Sequence, residues 1–168
     1  MSPIRIIGID PGFDRIGVCV LDKYSDKEVL IHSLCIITSR KDPFEKRLAD
    51  VGKTLESLLV KYSPSELAIE TLFFTTNQKT AIAVAEVRGV CLYLAHIHAV
   101  HIHEYSPPQI KLAVAGHGKA TKKDIENMVP KILKQAMPQG ILDDEIDAIA
   151  IALTHSAHRK MGSLSKYT

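Results

Sequence analysis

The sequence predicts an α/β domain, a mixed sheet flanked by helices. Two observations carry that reading. Three apolar, β-branched runs crowd the first 38 residues with only short turns between them, the layout of an antiparallel meander. From about residue 43 the apolar period lengthens to that of a helix, and short strand-like and longer helix-like patterns then alternate.

The elements follow in order. Ile4 to Asp10 (IRIIGID) reads as a buried strand, and Pro11-Gly12 turns the chain. Arg15 to Leu21 is the second strand, Lys23 to Lys27 a polar turn, and Val29 to Thr38 the third strand. Leu48, Val51, Leu55, Leu58 and Leu59 step by three and four, one face of a helix from about Pro43 to Lys61 that Ser63-Pro64 ends. Glu66 to Glu70 is a short strand and Thr71 to Asn77 a loop. The Ala-rich segment Ala81 to His96 reads as a buried helix, and Val100 to Tyr105 returns to alternation. Pro107-Pro108 precedes a short helix, Gln109 to Val114, and Gly116 and Gly118 bracket a loop. Thr121, with Asp124 three residues on, opens a helix by a capping box. Pro130 should kink or split that helix. Asp144 to His158 is the last helix.

Length and composition bound the rest. At 168 residues and 18.5 kDa the chain has the size of one domain, expected over residues 1–160 with a frayed tail at 161–168. With 46% apolar residues, no Trp and only 5% aromatics, the core should be aliphatic. Lys plus Arg number 21 and Asp plus Glu 19, so the net charge is +2, and on that sum alone the chain is neither a strongly basic nucleic-acid binder nor an acidic protein. No apolar stretch approaches the length of a membrane span, and Asp10 breaks up the N-terminal apolar run, so no membrane association and a cytoplasmic location are expected. Cys19, Cys35 and Cys91 are widely spaced within apolar runs and read as buried free thiols of a reducing compartment.

Carboxylates stand where chemistry would need them. Asp10 and Glu70 each close an apolar strand; if those strands are neighbours, both acids project from one edge of the sheet, where ligand sites of α/β proteins form. The bland alternatives are a turn-capping Asp and a solvent-facing strand end. Asp143, Asp144, Glu145 and Asp147 cluster at the start of the last helix. The helix dipole alone would explain acids there, but the rest of that helix is apolar and so buried. Asp147 shares a face with both Asp144 and Asp143, so spacing leaves the register open. Carboxylates gathered in one cleft repel unless hard divalent cations such as Mg²⁺ or Mn²⁺ sit among them. Two such ions can clamp a scissile phosphate.

At these residues the sequence resembles a family. G-I-D-P-G at Gly8 to Gly12, the strand-end A-I-E closing at Glu70, and D-x-x-D-A-x-A-x-A-x-x-H from Asp144 to His155 are similar to the RuvC Holliday junction resolvases, over about Ile4 to His158. Each motif alone is weak; their order and spacing together are specific. The resemblance implies an RNase H-like fold, with three antiparallel strands followed by parallel ones. It also implies Asp10, Glu70, Asp144 and Asp147 as catalytic metal ligands, which settles the register on Asp144. Two Mg²⁺ per site are implied, with Mn²⁺ able to substitute. The implied substrate is four-way junction DNA, cut by a homodimer in two opposed strands during recombination and repair. A branch-migration helicase complex of the RuvA and RuvB type is the implied partner.

Further residues carry weaker signals. Phe73 and Phe74 sit in a polar loop beside Glu70, where an exposed aromatic can stack on an unpaired base, or both can plug into the core. The resemblance favours Phe73 for stacking, with Phe74 packed inward. Six lysines between 111 and 134 face only Asp124 and Glu126. A solvated helix face accounts for Lys131 and Lys134. For Lys111 and Lys122 the resemblance favours DNA contact, with Lys119 and Lys123 as neighbouring candidates. His96, His98, His101 and His103 fall within eight residues, but no Cys joins them, so a polar strand face is preferred to a zinc site. His155 lies about 16 Å along the helix from Asp144, too far for one metal shell, and reads as packing or capping. Arg88-Gly89 resembles an A-x-R-G segment of the family, near its dimer interface.

Other classes fit less well. Sugar kinases and Hsp70-type ATPases also open with I-G-I-D-x-G, but they need a second phosphate loop and a second lobe for which this chain has no room. A non-catalytic junction-binding module would not need all four acids. A related RNase H-like nuclease acting on other branched DNA or on RNA–DNA hybrids is the closest alternative. The net charge of +2 then reads as a cancellation between cleft acids and the lysines beside them.

Overall fold

The computed structural model describes residues 2–72 and 78–164. Five strands form one sheet in the order β3-β2-β1-β4-β5, with β1 spanning Ile4–Asp10, β2 Arg15–Lys23, β3 Glu28–Ile37, β4 Glu66–Glu70 and β5 His101–Tyr105. The first three pair antiparallel, while β4 joins β1 and β5 joins β4 in parallel. The mixed sheet expected from the sequence is therefore present, and β1 and β4 are neighbours.

Side chains alternate across the sheet as strand geometry requires. On one face Ile7, Ile9, Val18, Leu67 and Ile69 pack with Val51, Leu55, Val87 and Cys91 of α1 (Phe44–Tyr62) and α2 (Gln78–Ile97). On the other, Ile6, Cys19, Leu21 and Ala68 pack under α3 (Pro107–Ala115), α4 (Lys122–Leu133) and α5 (Asp143–Leu164). The core is aliphatic, as the composition implied. Among the described residues no helix is long and apolar enough to cross a membrane.

Several expectations need correction. Pro130 does not split its helix: α4 runs unbroken to Leu133, because Ile125, Val129 and Leu133 are all buried against the core and only one turn remains beyond the proline. Helix α3 starts at the prolines rather than after them, with Ser106 and Gln109 forming a capping box. Proline suits the first turn, where no amide hydrogen is needed. Helix α5 continues past His158 to Leu164. Cys19 and Cys91 are buried free thiols, but Cys35, on an edge strand, is only partly covered.

Two glycines set how closely α5 approaches the sheet. A Cβ on Gly8 would lie 2.4 Å from the Ala148 carbonyl oxygen, and one on Gly17 would lie 1.8 Å from that of Asp144. Both distances are impossible for a real side chain, so the backbone of α5 rests directly on β1 and β2. That contact delivers the first turn of α5 to the edge where β1 ends.

Candidate active site

Asp10 and Glu70 end adjacent parallel strands in register, since Ile9 pairs with Ile69. Asp10 shares its face of β1 with Gly8, the face on which α5 lies. Asp147 comes down from the first turns of α5. Asp10, Glu70 and Asp147 line one cleft of about 240 Å³ together with Lys111 of α3 and Lys122 of α4, over apolar walls of Ile110, Ile125 and Ile151. The capping box at Thr121 and Asp124 fixes where α4 begins and hence where Lys122 points.

Asp144 sits at the margin of this cleft rather than in its lining. Its Oδ2 lies 2.5 Å from Arg15 Nη2, yet without hydrogen-bond geometry, so a buried acceptor has a charge beside it and no directed donor. Asp143 faces outward and ion-pairs with Arg15 at 3.1 Å and with Lys122 at 2.9 Å. Lys122 also reaches Asp147 at 3.1 Å.

The electrostatics follow from this crowding. Burial pushes the Asp10 carboxyl up to about 7, helped by the negative charges of Asp147, Glu70 and Asp144. Burial and Asp147 push Glu70 up to about 6, against the opposing pull of Lys111. Asp147 is raised by burial, with Lys122 opposing. Burial works against the Lys122 ammonium, but its contacts to Asp143 and Asp147 outweigh that and hold its pKa above the usual lysine value. The donor set is thus all carboxylate, partly buried and short of positive charge. It fits a hard, oxygen-seeking divalent cation and offers no nitrogen or sulfur ligand.

Of the other expected residues, Lys119 and Lys123 are exposed and line neither wall of the cleft. Phe73 and Phe74 lie outside the described residues. Arg88 braces the strand ends beneath the acids: its Nε donates to the Glu70 carbonyl at 3.4 Å and its Nη2 pairs with Glu104 at 2.5 Å. Nothing in its own segment marks Arg15 as a site residue, and Asp143, one of the two register candidates on α5, takes the outward place. The pairing of Asp10 with Gly17 sets Arg15 two residues away on the same face, a relation visible only once the register of β1 and β2 is known.

Of packing and capping, the structure shows packing for His155. It is buried in α5, where its Nδ1 meets the Tyr105 hydroxyl at 2.6 Å and its Nε2 contacts Glu66. His103 is half-buried on its strand face, and its ring stacks on His155 with centroids 4.2 Å apart.

The chain matches the family model described as crossover junction endodeoxyribonuclease RuvC over residues 6–155. It is 42% identical over 156 residues to the RuvC of Petrotoga mobilis, covering 92% of this chain and 94% of that protein. To the RuvC of Brevibacillus brevis it is 38% identical over 164 residues, covering 97% and 98%. Among solved structures, Thermus thermophilus RuvC in complex with Holliday junction substrate superposes with a TM-score of 0.87 at 32% identity, covering 95% of this chain and 96% of that one. The yeast mitochondrial resolvase Ydc2, at 14% identity and a TM-score of 0.69, shares the fold over 100% of this chain and 86% of its own. A five-stranded sheet of this topology is the RNase H-like arrangement, and with the match running through both acid-bearing strands and the acid-bearing helix, this chain belongs to the RuvC family.

Proposed function

We propose that the chain is a metal-dependent endonuclease that resolves Holliday junctions. It would do so as a homodimer, nicking two opposing strands of a four-way junction and leaving 5′-phosphate and 3′-hydroxyl ends. One observation carries the reading: Asp10, Glu70 and Asp147 converge with Lys111 and Lys122 in a single cleft, with Asp144 at its edge. The relatives' names and the Thermus complex with junction DNA support the substrate.

Asp10, Glu70, Asp144 and Asp147 would hold two Mg²⁺, or Mn²⁺ in their place. Bound there, the ions supply a water of lowered pKa and Lewis acidity at the scissile phosphate. The chain's own residues do the rest. Asp10 and Glu70 are fixed by the sheet and Asp147 by a helix resting on that sheet, so the acids keep their geometry without reorganising. Lys122 and Lys111 line the cleft and would pair with phosphate oxygens once DNA enters. Lys119 and Lys123, exposed near the same rim, would track the backbone further out. Phe73, three residues past Glu70, would stack on a base freed at the branch point. Docking of a RuvA and RuvB type helicase complex completes the cytoplasmic recombination role.

The deciding experiment compares cleavage of a mobile four-way junction with linear duplex, with and without Mg²⁺. Mg²⁺-dependent paired nicks in the junction alone are expected. Asp10→Asn and Asp144→Asn should abolish cleavage while leaving junction binding intact, and full cleavage by either variant would overturn the assignment. Preferential cutting of RNA–DNA hybrids would favour the alternative of a related nuclease.

A further inference from the structure

A second cluster lies at the opposite end of the sheet. Glu66 opens β4, four residues before Glu70, and so stands about 13 Å from it along the strand. His103 lies on β5 and His155 in the third turn of α5 beyond Asp144. One ligand atom from each, a carboxylate oxygen and two imidazole nitrogens, all fall within 4.8 Å of one another. Glu66 and His155 are buried and His103 half-buried, so these are not surface groups meeting by chance.

The surroundings resemble a ligand set with its outer partners in place. The Tyr105 hydroxyl is 2.6 Å from His155 Nδ1, and Arg159 contacts the second oxygen of Glu66. His155 Nε2 and Glu66 now meet directly, with the imidazole proton between them. None of these groups faces the acid cleft.

We propose that Glu66, His103 and His155 form a separate binding site for a borderline divalent cation of the Zn²⁺ type, which ties β4 and β5 to α5. Two imidazoles and a carboxylate suit Zn²⁺ or Co²⁺ and disfavour Mg²⁺, which prefers oxygen ligands. Tetrahedral ligation needs donors roughly 3.4 Å apart with their lone pairs aimed at the ion, so His155 Nε2 and Glu66, now in direct contact, part to admit it and His103 turns off the His155 ring on which it stacks. The balance of protons is simple. His155 gives up Nε2 to the cation and carries its proton on Nδ1 instead, where the Tyr105 oxygen turns from donor to acceptor. Arg159 keeps its contact with the second oxygen of Glu66. A water fills the fourth position.

The test uses the full chain stripped with EDTA and titrated with Co²⁺ in millimolar Mg²⁺, which occupies any hard oxygen site. A visible absorption band saturating at one Co²⁺ per chain, and bleached by Zn²⁺, is expected. His103→Ala should weaken Co²⁺ binding at least tenfold, while Asp144→Asn and His101→Ala leave it unchanged. Zn²⁺ should raise the melting temperature of the native chain but not that of His103→Gln, a milder variant that guards against misfolding of the alanine form. Absence of the band overturns the proposal, as does its loss in Asp144→Asn, equal weakening by His101→Ala, or an undiminished Zn²⁺ shift in His103→Gln.

Discussion

Gly17→Ala probes the contact on which the acid geometry depends. Its Cβ would stand 1.8 Å from the Asp144 carbonyl oxygen, whereas real Cβ contacts hardly ever fall below 3.0 Å. The obstacle is helix backbone, so no side chain can swing away, and α5 must retreat by at least 1.2 Å from β2 at its first turn. Asp144 is the residue pushed, and Asp147 rides one turn further along the same helix. A misplacement of about 1 Å at reacting groups can cost on the order of 10²-fold in rate. Overpacking of this kind also costs about 1–3 kcal/mol of stability. The variant should therefore melt lower but fold, bind junction DNA, and cleave it about a hundredfold more slowly in saturating Mg²⁺. Single-turnover cleavage beside a thermal melt measures both effects. A variant with native cleavage rate and native melting temperature would refute the claim that this glycine sets the position of the acids.

Three further outcomes follow from the charges and caps. The Asp10 carboxyl is held near 7 in the fold against 3.8 when free, so the folded state keeps a proton that the unfolded chain loses between those values. Stability from this group falls as pH rises through that window, by at most about 4 kcal/mol. Metal-free Asp10→Asn should accordingly melt above the native chain at pH 8, with the gap closing towards pH 4; equal melting at pH 8 counts against a buried, crowded carboxylate at this position. Lys122→Ala removes pairs that are half exposed, so stability should change little. Its junction affinity should lose about 0.9 from the slope of log K against log salt, measured by fluorescence anisotropy. Thr121→Ala deletes the oxygen that accepts from the Asp124 amide at 3.2 Å and should cost about 1 kcal/mol in urea denaturation.

What the sequence made legible divides by the range of the forces involved. Strand β1, Ile4–Asp10, and strand β4, Glu66–Glu70, could be bounded to the residue, because an apolar run ends abruptly at an acid in each case. Helix α1 followed from its apolar period and its Ser63-Pro64 stop, where Ser63 adopts φ 45°. At Pro130 the local rule on helix breaking yields to burial of Ile125, Val129 and Leu133 that only the tertiary packing supplies. The neighbourhood of His155 was hidden for the same reason. Its partners Glu66, Tyr105 and His103 come from two other strands, 89, 50 and 52 residues away in the chain, and no periodicity links them. Nothing local marks Arg15, because its partners depend on the cross-strand register of β1 and β2.

The near-neutral sum of charges is resolved by this placement. Acids gathered in a partly buried cleft are costly to ionise together, and the raised pKa values of Asp10 and Glu70 reflect first their burial and then the charge of their neighbours. The fold relieves it only at the rim. Arg15 and Lys122 clasp Asp143, which points outward, and from there each touches one of the inner acids, Asp144 and Asp147. No described cation pairs with Asp10, the innermost carboxylate. Asp143 thus acts as an anchor for the two cations. That contact holds both cations at the mouth of the cleft, where on the proposed function they would turn to phosphate rather than compete with a divalent ion at the centre. Removing it should let Lys122 move inward, so Asp143→Asn is expected to raise the Mg²⁺ concentration needed for half-maximal cleavage while sparing the rate at saturation. A reduced saturating rate with unchanged Mg²⁺ demand would instead make Asp143 a member of the ligand set, and reopen the choice of register at the start of α5.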